Sequence, residues 1–191
     1  MTAVEIARLG FADKCQVNVD PTLLLTPDEW RKHSPKQPLN EGKYIFLYNP
    51  YFLPQVYEQA KELSKLTGLK VVVSNINIKS LAFLGGFKKK LDVGPWEFLN
   101  LVDNATYVVG RSFHLLVFSI LFKKQFIAVE GLGDSRLSNL LNVTALQQCA
   151  TNNGNVSEIL QNIQNLNFDH AFQAIEKERQ RSFDYFKQII L

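Results

Sequence analysis

A guanidinium, a hydroxyl and an imidazole stand close together at Arg111, Ser112 and His114, between the β-branched run YVVG and the apolar stretch LLVFSILF. A link that only turned the chain would use Gly, Asn or Asp. Here Arg111 lies where a strand ends, and Ser112 is placed to cap the following helix by accepting from a backbone N–H two or three residues on. His114 falls in the first turn of that helix. A helix start carries free N–H groups and partial positive charge, and in open α/β sheets ligands gather beyond the carboxyl ends of the strands. Together these groups predict a site for a small anion. The pattern alone also permits a plainer arrangement, in which Ser112 only caps, Arg111 pairs with a surface carboxylate and His114 is structural.

Groups of this kind are useful only if the scaffold holds them still. The helix after Ser112 is apolar on nearly every side as far as Phe122, so it is expected to be buried, with Lys123 and Lys124 at its negative end. KYIFLYN (43–49), LKVVVSN (69–75), ATYVVGR (105–111) and QFIAVE (125–130) read as strands. Helical spacing from Leu53 to Leu63 closes at Gly68, Pro95 opens a helix over 94–103, and a third runs from Asp134 to Asn142. This alternation predicts an α/β fold, a Rossmann-like parallel sheet with helices on both faces.

Residues 76–93 mix apolar residues, a Gly pair and three consecutive lysines without a period and are expected to form a long loop. Residues 1–40 are expected to be an irregular lead-in with QVNVD as a strand, DEWRKH as a helix after Pro27, and a Pro-rich connector from Ser34 to Pro38; residues 41–191 are read as the Rossmann-like domain. A short helix is expected from Ser157. The last helix should dock a face bearing Phe172, Ile175, Phe183, Phe186 and Ile190. His33 and His170 are expected at the surface without partners. Glu130-Gly131-Leu132-Gly133 lacks the third glycine of a dinucleotide loop and reads as a tight turn.

The chain has 191 residues, 46% of them hydrophobic and 20% charged, which suits one domain with a full core. Its formal charge of +3 is too small to call for nucleic acid or a membrane but suits a site for an anionic small molecule. Cys15 and Cys149 are far apart with no Cys or His at ligand spacing, so neither a disulfide framework nor a metal site is expected. The opening residues do not read as a secretory signal, and LLVFSILF is far shorter than the roughly 20 residues of a membrane span. The expected location is cytoplasmic, at most peripherally attached to the inner face of a membrane.

Four stretches in this order, DPTLLLTPDEW (20–30), YIFLYN, GPWEFLNLVDNATYVVGRSFHLLVFSILF (94–122) and SRLSNLL (135–141), together resemble the polysaccharide pyruvyl transferase family. The likeness covers residues 15 to 142 and centres on Ser112-Phe113-His114 followed by an apolar helix containing Phe118-Ser119. Leu115 stands where many relatives carry Gly, and Arg111 sits one place from an arginine that some branches have at the position of Ser112.

The resemblance implies a fold similar to the C-terminal lobe of two-lobed glycosyltransferases of the GT-B type, with a separate first lobe completing the cleft. It implies phosphoenolpyruvate as donor, no cofactor, and a sugar or lipid-linked saccharide as acceptor, in exopolysaccharide or capsule biosynthesis. His114 is then the general acid or base, while Arg111, Ser112 and Arg136 bind the anionic donor. For Arg136 a structural ion pair is the plain alternative. Two other functions stay open: a sugar-nucleotide-binding lobe, with its ligand near Gly131 to Arg136, and a non-catalytic assembly module. Lys88, Lys89 and Lys90 suit either a solvated face or a phosphate-bearing lipid acceptor.

Overall fold

The computed structural model describes residues 8–10, 16–151, 155–164 and 166–190; Cys15 lies outside them. Six strands, β1 (Tyr44–Tyr48), β2 (Lys70–Ser74), β3 (Lys88–Lys89), β4 (Tyr107–Gly110), β5 (Gln125–Val129) and β6 (Ala150–Thr151), form one sheet in the order β3-β2-β1-β4-β5-β6. Every pairing is parallel. The helices are α1 (Pro27–His33), α2 (Pro54–Thr67), α3 (Pro95–Asp103), α4 (Phe113–Leu121), α5 (Ser135–Val143), α6 (Val156–Ile163) and α7 (Asp169–Ile190). Parallel strands need crossover helices, which cover both faces, so β1 and β4 are buried along nearly their whole length. Helix α2 packs with α6, and α3 packs with α4 and α1. This is the α/β Rossmann-like arrangement that the alternating pattern predicts.

Two strands depart from expectation. The long loop holds a 3-10 helix, Ile78–Phe83, and then the edge strand β3, whose Lys88 and Lys89 pair with Val72 and Val73. A lysine edge strand has no β-branched signature, because charge at an edge guards the sheet against further pairing. Strand β6 is only two residues long and is equally silent in sequence.

Residues 16–20 do not form a strand. Instead α7 supplies partners for this segment: Ser182 Oγ accepts from Val19 N at 3.1 Å, and Arg179 donates to the Leu23 carbonyl at 2.7 Å. The docked face of α7 is Ala171, Ile175, Arg179 and Ser182, whereas Phe183 and Ile190 are exposed. Ile175 and the partly buried Phe172 dock as expected, while farther along the helix Arg179 and Ser182 take the inward positions in place of Phe183, since the neighbour they meet is bare backbone.

The rest of the lead-in is pinned just as specifically. Thr26 and Glu29 form a capping box for α1, and Arg31 makes a forked pair with Asp103 at 2.8 and 3.1 Å. Asn100, buried in α3, accepts from Leu39 N and donates to the carbonyls of Pro35 and Gln37, which orders the Pro-rich connector. Lys124 also faces Asp103 at 3.8 Å, and burial pulls its ammonium below the ordinary lysine range. Cys149 is fully buried, which pushes its thiol up to about 12 and leaves it inert. Among the described residues no helix is long and apolar enough to cross a membrane.

Candidate functional site

The chain leaves β1 in one direction to build β2 and β3, then returns to the other side of β1 to build β4. The crossovers from β1 and β4 therefore diverge, and a crevice opens beyond their carboxyl ends. Gly110, the last residue of β4, is what lets α4 close down there. A Cβ on it would overlap the Tyr48 carbonyl oxygen and lie 2.5 Å from Leu115 Cδ2.

In the crevice is a cavity of about 930 Å³. Its walls are aromatic, formed by Trp30, Tyr48, Trp96, Phe98 and Phe118, with hydroxyls from Thr22, Ser74 and Ser112. The rings brace one another: Phe98 lies 4.9 Å from Tyr48, and Trp30 meets Phe118 edge-on at 5.2 Å. The Trp30 indole N–H donates to the Thr22 carbonyl, and His33 stacks on Trp96 at 5.1 Å, so this histidine has a partner after all. Ser74 is almost wholly buried and its Oγ has no hydrogen-bond partner. Among the described residues no Asp, Glu, Lys or Arg lines this cavity.

A second cavity, about 330 Å³, lies on the other side of the α4 start, with Asp20, Arg136, Asn139 and Glu178 set among apolar walls that include Leu23, Phe113 and Ile175. His114 lines both. Its side chain is 58% exposed, and Nε2 lies 3.7 Å from Asp20 Oδ2. The other oxygen of Asp20 accepts from Thr22 N and Thr22 Oγ1 at 3.0 and 2.6 Å. One carboxylate thus caps the Pro21–Leu23 turn and faces the imidazole at once.

The remaining predicted residues are not all gathered at this point. Ser112 occupies the N-cap position of α4, but its hydroxyl makes no capping bond, contrary to expectation. It is buried against the large cavity instead and leaves the first N–H groups of α4 uncapped. Arg111 lines neither cavity; it pairs with Glu130 at 2.8 Å, the surface-carboxylate arrangement that the sequence left open. Arg136, 67% exposed, lies 3.8 Å from Asp134, whose carboxylate caps α5. Glu130 and Asn75, each the first residue after a strand, have positive φ of 49° and 56°, and Gly131–Gly133 is a single 3-10 turn, as the missing glycine predicts. Such backbone strain gathers around ligand sites.

Asp20 and the aromatic wall escaped the sequence reading. Asp-Pro-Thr signals a cap, and nothing in it points to an imidazole far along the chain. Among the described residues no cluster of three or more His, Cys, Asp or Glu side chains is placed to hold a metal ion. No curated protein and no solved structure matches the chain significantly. A family model described as polysaccharide pyruvyl transferase matches residues 3–131, a range that takes in β1 to β5, Asp20 and His114.

Proposed function

The chain belongs to the polysaccharide pyruvyl transferase family, and on that premise we propose that it moves a pyruvyl group from phosphoenolpyruvate to a sugar as a cyclic ketal. One observation carries the reading: His114 is shared by a large cavity without charged side chains and a small one that contains Arg136. An uncharged sugar suits the first, its C–H face against Trp96 or Trp30 and its hydroxyls toward Ser74 and Ser112. The donor's phosphate and carboxylate are assigned to the Arg136 end of the second, where that guanidinium and the uncapped start of α4 are set against the carboxylates of Asp20 and Glu178. Arg111, held by Glu130 outside both cavities, adds only longer-range positive charge.

The chemistry needs a proton carrier between these two places. One acceptor oxygen bonds to C2 of the enol while a proton reaches C3, which becomes the methyl group. The second oxygen then bonds to C2, the C2–O bond to phosphate breaks, and the second hydroxyl proton leaves with inorganic phosphate. His114 takes the hydroxyl proton and gives one to carbon; Asp20 holds the imidazole in place and faces the charge that forms on it. The sheet is compatible with the C-terminal lobe of a GT-B arrangement, and a separate first lobe would then close the crevice. An acceptor carried on a lipid, in exopolysaccharide or capsule synthesis, fits the open mouth of the aromatic cavity.

Calorimetric titration tests the donor. Phosphoenolpyruvate is expected to bind the chain, and Arg136→Ala to weaken binding about tenfold or more by removing a charge-assisted contact. Arg111→Ala should weaken it less, because Glu130 already claims part of that guanidinium. Tight binding of a sugar nucleotide with no heat from phosphoenolpyruvate would instead establish a sugar-nucleotide lobe.

Asp20→Asn separates two roles of one side chain. Asparagine keeps an oxygen for Thr22, so the melting temperature is expected to stay within about 2 °C of the parent's. Turnover should fall roughly ten- to hundredfold, a modest loss for a carboxylate that is partly solvated and 3.7 Å away. Unchanged turnover would leave Asp20 as a cap only.

A further inference from the structure

The connection between β2 and α3 concentrates charge. In residues 76–93 four lysines face the single carboxylate of Asp92, giving +3, which equals the formal charge of the whole chain. The rest of the sequence is therefore balanced. Lys79, Lys88 and Lys89 are exposed, and among the described residues none of them pairs with a carboxylate.

The same connection exposes apolar side chains. A 3-10 helix has three residues per turn, so Ile78 and Leu81 share one ridge of Ile78–Phe83 while Ser80 and Phe83 share another. Phe83 packs on Phe52 at 5.8 Å and on Tyr57 at 5.3 Å, and Ser80 is buried. The inward ridge thus fixes the outward one. Ile78 is 87% exposed and Leu91, just past β3, is 80% exposed. Guarding a sheet edge explains Lys88 and Lys89, but it gives no reason to hold Ile78, Leu81 and Leu91 in water.

We propose that this corner docks on an anionic bilayer surface, with Ile78, Leu81 and Leu91 at the boundary of headgroups and acyl chains and the three lysines on lipid phosphates. Charge complementarity selects this partner, and a few separate apolar tips flanked in sequence by exposed lysines match an interfacial anchor better than the broad continuous patch of a protein interface. Leu91 also lines the large cavity, so docking would bring its mouth to the lipid surface. The inference does not depend on the reaction proposed above.

Sedimentation of the full chain with vesicles tests it. Binding is expected with phosphatidylglycerol vesicles and not with phosphatidylcholine vesicles, and it should weaken as salt is raised. Lys88→Glu with Lys89→Glu should lower partitioning about tenfold or more. Ile78→Ser with Leu91→Ser should lower it as well without changing its salt dependence. Lys65→Glu with Lys70→Glu makes the same change of charge at the opposite end of β2 and should leave binding intact. Equal loss in that control would reduce the effect to net charge and overturn the proposal. So would no preference for anionic lipid, or a dimer in sedimentation velocity that Ile78→Ser with Leu91→Ser abolishes while vesicle binding is absent.

Discussion

His114→Gln is expected to reduce pyruvyl transfer about a thousandfold, the middle of the range for a lost proton carrier. Glutamine keeps the size and polarity of the side chain but cannot cycle a proton. Because 58% of the His114 side chain is exposed and no buried hydrogen bond depends on it, the fold should survive. Phosphoenolpyruvate should still bind within about twofold, since Arg136 and the α4 start remain. The decisive measurement is phosphate release at saturating donor and acceptor beside a calorimetric Kd. Loss of turnover with binding retained assigns the imidazole to the chemical step. Equal loss of both would make it a binding group, and no loss would remove it from the site.

The second large effect is structural. Gly110→Ala is expected to cost about 3 kcal/mol or more, the upper end for overpacking, because its new methyl group meets a backbone carbonyl that no rotamer change can move. Tyr48 and Gly110 are direct partners in the β1–β4 ladder, so relief would require these two strands or α4 to shift apart. For a domain of this size the melting temperature should fall by about 10 °C. Urea denaturation should show a lower midpoint with an unchanged slope. A small shift would mean that α4 can lift away from β1 and β4 at little cost.

Much of the architecture was legible because its strands are buried on both faces. Such strands appear as short β-branched or aromatic runs, and YIFLY, KVVVS, YVVG and QFIAV stand out between helical stretches. Lys88–Lys89 and Ala150–Thr151 belong to the same sheet without that signature. The phase of α7 was misread because its docking partner is not an apolar groove but the backbone of residues 19 to 25, which rewards Arg179 and Ser182.

The site divides in the same way. Arg111, Ser112 and His114 are local to one strand end, so the sequence displays them. Which of them faces the crevice is set by Glu130, a residue on the next strand's turn. Asp20 reaches His114 only through tertiary packing. The aromatic wall is drawn from α1, β1, α3 and α4, and each ring taken alone reads as ordinary core.

The hold of α7 on Val19 and Leu23 also orders events in time. During synthesis Val19 and Leu23 leave the ribosome long before Ser182 and Arg179, so the nascent chain can build β1 to β5 before α7 grips the lead-in. Only when translation has passed residue 182 can Ser182 and Arg179 close on the backbone of Val19 and Leu23. The lead-in is therefore locked last, onto a sheet that is already assembled.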